Sequence, residues 1–185
     1  MSQTISRHTK TDTRQLILRI ARELLLTRSY LGLSFQELAD RVGIRKASLY
    51  HHFASKEVLG IALMDDSVER FRWWTGKIAQ QTPADQLIAY TRMFRDFIGA
   101  GQMVCPIGAT GGEWECIEPA LQDAVRRLHR THLDWLAAVA ARLEGQTDAT
   151  LSPEQWAAHI SATCLGALIN ARLYGDLALF DASVA

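Results

Sequence analysis

Apolar residues recur at helical spacing along most of the chain, and no stretch shows the strict alternation typical of a half-buried strand. The first series is Ile17, Ile20, Ala21, Leu24 and Leu25, at i, i+3, i+4, i+7 and i+8. Such a stripe predicts one amphipathic helix with a buried face. Later series predict long helices over about residues 56–80, 83–99, 119–144 and 153–177. The pattern therefore predicts an all-α fold of about 8–9 helices.

The most informative stretch covers residues 33–59. Ser34 is a favoured N-cap residue and Glu37 follows three positions later, which predicts a capping box and the start of a helix. Gly43 ends that helix, because glycine accepts the left-handed backbone of a sharp turn. The apolar pattern resumes after the turn and reaches Phe53. Two short helices joined by a tight turn, followed by a longer helix, are thus predicted.

The second of these short helices carries the candidate chemistry. Leu49 and Phe53 share its inward face, since they are four residues apart. The side chains left to solvent are those of Arg45, Lys46, Ala47, Ser48, Tyr50 and His51. Small residues let a helix backbone approach base edges in the major groove, while cations and hydroxyls bind phosphates. This surface predicts DNA binding; the alternative is the solvated face of an ordinary helical bundle.

The same stretch resembles the TetR family of bacterial transcriptional regulators. The matching positions are Ser34, Leu38-Ala39, Val42-Gly43-Ile44, Lys46, Ser48-Leu49-Tyr50-His51-His52-Phe53 and Ser55-Lys56-Glu57. The string LYHHFASKE is highly specific to the family's DNA-binding region, and the resemblance is strong over about residues 12–60. The chain departs from the family at Ser29, usually glycine, and at Leu33, usually threonine. It also departs at Arg45 and Ala47, which lie on the predicted DNA-contacting surface and so concern which operator is bound.

The resemblance and the exposed surface together predict the DNA contacts. We expect base contacts from Arg45, Lys46, Ala47 and Ser48, and phosphate contacts from Ser34, Gln36, Tyr50, His51 and Lys56. Residues 1–60 carry ten Lys or Arg and five Asp or Glu, although the whole chain carries 20 of each. A basic first part on an acidic remainder is typical of a DNA-binding domain joined to a second domain. We predict a helix-turn-helix domain over residues 1–55 and a second domain over residues 56–185.

The second domain is rich in large aromatic residues, which favours a cavity for a small apolar ligand. The candidate cavity residues are Trp73, Tyr90, Phe94, Phe97, Met103, Cys105, Trp114 and Trp135. Each of them alone is explained as well by ordinary core packing. For the region as a whole, an effector pocket is what the resemblance implies.

Cys105 is a candidate thiol sensor. The pattern Cys105-x-x-Gly108-x-x-x-x-Glu113 is similar to a segment of those TetR-like regulators that include sensors of electrophiles or oxidants. Pro106 predicts a helix that starts at Cys105, and the positive end of a helix favours a thiolate. The alternative is a buried cysteine that packs as a small hydrophobic residue.

The last two predicted helices, over about residues 119–144 and 153–177, are rich in alanine, which lets helices approach closely. Two such helices from each of two chains would form a four-helix bundle, and TetR-like regulators are similarly dimeric. The alternative is that both helices pack inside the monomer. Dimerisation would present two reading helices to half-sites about one DNA turn apart.

These features predict a homodimeric DNA-binding regulator, a repressor that leaves its operator when a small-molecule effector binds or a thiol is modified. The alternative is an architectural or partner-binding protein that uses DNA as an anchor. An enzyme is a third possibility, since His129, His132 and Asp134 could form acid–base pairs, but solvated or core histidines explain them better. We predict no catalytic site, no metal site and no cofactor. The chain shows no membrane-length apolar run or signal peptide, which predicts a cytoplasmic location.

Overall fold

The computed structural model describes residues 10–99, 104–143 and 151–185, with side chains from residue 12 onward. These ranges contain α-helices and no strand, so the prediction of an all-α fold is confirmed. The helices are α1 (Lys10–Gly32), α2 (Phe35–Val42), α3 (Lys46–Tyr50), α4 (Lys56–Ile78), α5 (Pro83–Gly99), α6 (Pro106–Gly111), α7 (Pro119–Ala140), α8 (Pro153–Tyr174) and α9 (Leu177–Val184). No helix within the described residues is long and apolar enough to span a bilayer.

Serine side chains start three of these helices, as their positions in the sequence predict. The Ser55 hydroxyl accepts the Val58 N–H at 3.1 Å at the start of α4, and Ser152 forms a full capping box with Gln155 at the start of α8. The Ser34 hydroxyl accepts the Glu37 N–H at 3.4 Å. The reciprocal half of that predicted capping box is not formed, because the Glu37 carboxylate pairs with Arg28 on α1.

Helix α8 is shorter than the helix predicted over about residues 153–177. We expected it to continue to residue 177, but it ends at Tyr174, where Gly175 takes a left-handed conformation with φ 64°. The Asp176 carboxylate then accepts the Ala178 N–H at 2.8 Å and starts α9. The apolar pattern continues through this turn, so hydrophobic spacing alone does not separate the two helices.

The first three helices form what we call the head (residues 10–55), and the other six form the body (residues 56–185). One continuous apolar core runs through both: it includes Leu24 and Leu49 from the head and Leu63 and Leu128 from the body. In the body, α7 packs between α4 and α8, and α9 covers α8 and α5. The head is packed against the body through α1, which contacts α6 and α4.

Gly60 marks the closest approach of three helices at this junction. A Cβ atom at this position of α4 would lie 2.9 Å from Cε2 of Tyr30 on α1 and 3.0 Å from Cδ2 of Leu121 on α7. Both neighbours are buried side chains, so neither has free space to withdraw into. Glycine is needed here for close packing, since the backbone conformation is an ordinary helical one.

Ser29 strains the backbone near the end of α1. Its φ is 63° and its ψ is 178°, which interrupts the helix just before the last turn. This region of backbone conformation is almost restricted to glycine, and other residues there cost about 1–3 kcal/mol. The departure from glycine noted in the sequence therefore falls where glycine would fit best.

We predict that Ser29→Gly stabilises the protein by about 1 kcal/mol, because the relief of strain exceeds the entropy that glycine adds to the unfolded chain. Urea unfolding followed by circular dichroism would measure the difference. Arg19→Gly, at an exposed and regular helical position of α1, is the control and should lose about 1 kcal/mol. Equal destabilisation by both substitutions would contradict the assignment of strain to Ser29.

Candidate DNA-binding face and ligand cavity

The short helix α3 is held in place from behind by the core of the head. Leu49 and Phe53 are almost fully buried, as their spacing predicts. The Phe53 ring also lies 4.9 Å from the Arg14 guanidinium, and the Tyr50 ring rests on Phe35 of α2 at 5.2 Å between centroids. A five-residue helix is marginal alone, so these contacts define its orientation.

The outward side of α3 presents most of the predicted DNA contacts to solvent. Exposed residues here are Arg45, Lys46, Ala47, Tyr50 and His51, with Ser48 half-buried and with Ser34 and Gln36 exposed at the start of α2. Arg28 and Arg41 elsewhere on the head pair with Glu37 and Glu23. By contrast, Arg45 and Lys46 form no ion pair with any residue that the structure describes. Their charge is available to an anionic partner.

Lys56 differs from the other predicted contacts, because its amine points back into the protein. Nζ donates to the carbonyl oxygen of Leu31 at 3.0 Å and lies 4.7 Å from the centre of the Tyr30 ring. Burial lowers the pKa of Lys56 from its ordinary value, while Glu113 and Glu118 oppose that shift. In this conformation Lys56 stabilises the end of α1 and is not directed at the expected phosphate.

Two glutamates of the body complete the junction with the head. The Glu113 carboxylate accepts the Leu31 N–H at 2.9 Å, and the Glu118 carboxylate accepts the Tyr30 hydroxyl at 3.2 Å. Burial, followed by the charge of Glu118, raises the pKa of Tyr30, so its hydroxyl stays a donor. Because Glu113 lies two residues after the end of α6, this hydrogen bond links the segment that follows α6 to the last turn of α1.

A cavity of about 680 Å³ lies in the body next to this junction. Its walls come from five helices: Leu26 of α1, Phe71 of α4, Phe97 of α5, Ile107 of α6 and Leu128 of α7. The volume is in the range of small-molecule sites, and the lining is mostly apolar with a few polar groups. The cavity thus touches the head directly through α1.

The structure brings half of the predicted cavity residues together. Trp73, Phe94, Phe97 and Cys105 line the cavity. Tyr90 and Trp135 lie behind its wall, where their rings stack on each other and meet Phe71 edge to face. Trp114 lies elsewhere, under the guanidinium of Arg126 at 4.8 Å. Met103 is outside the described residues.

Sequence reasoning missed several lining residues that the fold contributes. Phe71 and Trp74 are three apart on α4, and Leu128 and His132 are four apart on α7, so each pair shares a helix face. Those spacings could have identified the two walls. The sequence could not identify Arg22 as a cavity residue, because a lone arginine on an amphipathic helix usually lies on the solvated face of that helix.

His132 is a neutral part of the cavity wall. Its ring stacks on Phe71 at 3.8 Å between centroids, and its Nδ1 lies 3.2 Å from the Tyr90 hydroxyl. Burial lowers the pKa of His132 to about 3. Its neighbour His129 contacts the Ser161 hydroxyl at 3.3 Å. No three His, Cys, Asp or Glu side chains in the described ranges are placed to hold a metal ion.

Cys105 caps α6, as the following proline predicts. Its sulfur accepts the Gly108 N–H at 3.3 Å, and the residue is almost completely buried. Burial raises the pKa of Cys105 to about 11, although that backbone contact acts in the opposite direction. Burial therefore outweighs the helix N-terminus, and the sulfur is a protonated thiol at neutral pH.

These features define a class of protein: a helix-turn-helix head mounted on a helical body that holds a cavity at the junction. Two family descriptions match the chain. Residues 17–63 match "Bacterial regulatory proteins, tetR family", and residues 83–185 match "Tetracyclin repressor-like, C-terminal domain". The second match alone covers more than half of the chain. The chain belongs to the tetR family of bacterial regulatory proteins.

Individual relatives agree with this assignment. The HTH-type transcriptional repressor NemR of Escherichia coli strain K12 is 29% identical over 89 residues, which are 46% of this chain and 45% of NemR. The match thus spans less than half the length of NemR. The HTH-type transcriptional regulator EthR of Mycobacterium tuberculosis strain H37Rv is 29% identical over 90% of this chain and 77% of EthR. A crystal structure of a TetR-family regulator from Agrobacterium tumefaciens is 28% identical, covers 95% of both chains and has a TM-score of 0.89.

We predict that His132 makes the protein less stable in mild acid. The unfolded chain binds a proton at this residue below about pH 6.5, whereas the folded chain binds it only near pH 3, so stability falls as the pH decreases. Between pH 6.5 and 5 this group should remove roughly 1.5 kcal/mol of unfolding free energy. Urea titrations at several pH values would measure it.

His132→Gln should lack this component, because glutamine can still bond to Tyr90 but does not titrate. His51→Gln, at an exposed position of α3, is the matched control and should keep the acid sensitivity of the wild type. The same sensitivity in the His132 variant would show that other groups cause it.

Proposed function

We propose that this protein is a homodimeric transcriptional repressor that binds an operator through α3 and leaves it when an effector fills the cavity. The observation that carries this proposal is the position of the cavity, which is lined by α1 of the head and by four helices of the body. The names of NemR and EthR, which describe a repressor and a regulator, support the same function. A protein that binds an operator acts where DNA is, so we place it in the cytoplasm.

The DNA contacts in this proposal follow the exposure of the head. Arg45, Lys46, Ala47 and Ser48 would contact base edges from the N-terminal part of α3, which enters the major groove. Ser34, Gln36, Tyr50 and His51 would contact the sugar–phosphate backbone. Lys56 would join them only if its amine left the Leu31 carbonyl. The division at residue 55 separates this DNA-binding head from the effector-binding body.

Regulation would act through two positions of the head relative to the body. An effector shifts such an equilibrium only by binding one state more tightly than the other. The cavity offers a route, because Cys105, Pro106 and Ile107 at the start of α6 line it and Glu113 beyond α6 holds Leu31 of α1. Modification of Cys105 is the second route in the proposal, and its burial favours the effector route.

The dimer would form through the last two long helices, α7 and α8. The outward side of α8 carries small or apolar residues at helical spacing: Ala158, Ala162, Gly166, Ile169 and Leu173. Ile169 and Leu173 are 47% and 73% exposed, and nothing lies within 4 Å of a Cβ at Gly166. Such a face is suited to an isologous contact with a second copy.

An architectural protein that uses DNA only as an anchor is the second candidate. That function needs no ligand site, so it would be favoured by a body with a solid core. The cavity of about 680 Å³ favours the regulator.

We predict that Arg45→Ala and Tyr50→Ala weaken DNA binding in different ways. Loss of a base contact at Arg45 should cost about 1–3 kcal/mol and change the preference between operators. Loss of a phosphate contact at Tyr50 should weaken binding to every sequence by a similar factor. Fluorescence anisotropy with the operator and with random DNA would compare them. Equal losses on both DNAs for Arg45→Ala would contradict base contact by that residue.

We predict that Ile169→Arg converts the dimer to a monomer, because it places a charge in the centre of the proposed interface. Light scattering would show the change in mass, and operator affinity should fall by about 100-fold, since two linked half-sites no longer act together. Ile88→Arg is the matched control, because Ile88 on α5 has the same 47% exposure as Ile169. A dimeric Ile169 variant would exclude this face as the interface.

A further inference from the structure

Among the described residues that line the cavity, Arg22 is the one charged residue that belongs to the head. It lies on α1, and its Nη2 donates to the Asp66 carboxylate of α4. Its Nε is buried and has no hydrogen-bond acceptor among the described residues. A guanidinium can bind a carboxylate with two parallel N–H groups, and this pair uses only one. Arg22 therefore keeps unused donor capacity inside a mostly apolar site.

The other charged side chains that line the cavity are Glu69 and Arg70. Arg70 lines the cavity and forms no ion pair in the described ranges, whereas the neighbouring Glu69 is paired with Arg72 at 3.0 Å. His132, which also lines the cavity, is neutral and stacked on Phe71. The cavity thus combines two arginines with an aromatic wall formed by Phe71, Trp74 and Phe94.

From this arrangement we infer that the effector is an aromatic carboxylate, whose ring packs on the aromatic wall and whose anionic oxygens bind Arg22. This inference rests on the proposed function, since it assigns the chemical class of the ligand in the same cavity. The carboxylate would accept from the part of the guanidinium that Asp66 leaves free, and a hydrogen bond between two charged groups is stronger than one between neutral groups.

The same contact would let such a ligand change the position of the head relative to the body. Asp66 on α4 and the ligand carboxylate would share one guanidinium on α1, and repulsion between the two carboxylates would weaken the ion pair that ties α1 to α4. The last turn of α1 keeps the contacts of Tyr30 with Glu118 and of Leu31 with Glu113 and Lys56. A carboxylate therefore favours the state in which α1 moves relative to α4, whereas a neutral ligand leaves the ion pair intact.

The test uses the full-length protein and three probes that share one ring system and differ in charge. They are anthracene-9-carboxylate, the neutral anthracene-9-carboxamide and the cationic anthracen-9-ylmethylamine. Quenching of tryptophan fluorescence reports binding, because Trp73 and Trp74 line the cavity. We expect the carboxylate to bind about tenfold or more tightly than the amide, as a charged hydrogen bond implies, and the amine to bind most weakly. Arg22→Met should abolish the preference without changing the affinity of the amide.

Two further variants keep the result interpretable if Arg22→Met folds poorly. Asp66→Asn removes the competitor for the guanidinium, so it should increase carboxylate affinity and leave the amide unaffected. Arg19→Met removes an exposed arginine of α1 that does not line the cavity, and it should behave as the wild type.

Equal affinity for carboxylate and amide, or a preference that survives in Arg22→Met, would overturn the assignment of ligand class while the cavity remained the effector site. Failure of all three probes to bind, in protein that still binds operator DNA, would overturn the assignment and remove the cavity from the proposed function as well.

Discussion

The structure depends on how the last turn of α1 is held against the body. Both backbone groups of Leu31 are bound by charged side chains, the N–H by Glu113 and the carbonyl by Lys56. Close packing of Tyr30, Gly60 and Leu121 fixes the same point from the apolar side. Polar contacts and close packing therefore hold this turn together, and the Arg22–Asp66 ion pair ties α1 to α4 further along the helix.

The cavity lies where it can act on that attachment. It is enclosed by the helix that leads to the junction from the head and by helices that meet it from the body. On its far side the wall is closely packed: the His132 ring stacks on Phe71, the Trp135 ring stacks on Tyr90, and Tyr90 meets Phe71 edge to face. In the proposed mechanism, a ligand in the cavity would displace α1 and α6 more than this side, because the core side is closely packed. The proposed ligand site and the attachment of the head thus lie in one region.

The sequence predicts those features that depend on neighbours along the chain. Gly43 ends α2 and Ser55 caps α4, and the burial of Leu49 among exposed neighbours identifies the side of α3 that faces solvent. The sequence does not predict features that depend on contacts between residues far apart in the chain. The Lys56 amine donates to the carbonyl oxygen of Leu31, 25 residues earlier in the chain. Arg22 is held at the cavity by an ion pair with Asp66, 44 residues later. Neither contact leaves a periodic signal, because each depends on how helices cross.

The measurement that tests the account most directly is fluorescence anisotropy of labelled DNA taken from upstream of the gene for this protein, with random DNA as the control and a series of salt concentrations. We predict saturable binding that prefers the upstream DNA and keeps this preference as salt rises, because base contacts from α3 do not depend on released counterions. Equal binding to both DNAs that disappears with salt would contradict sequence-specific binding and would leave the head as an electrostatic anchor only.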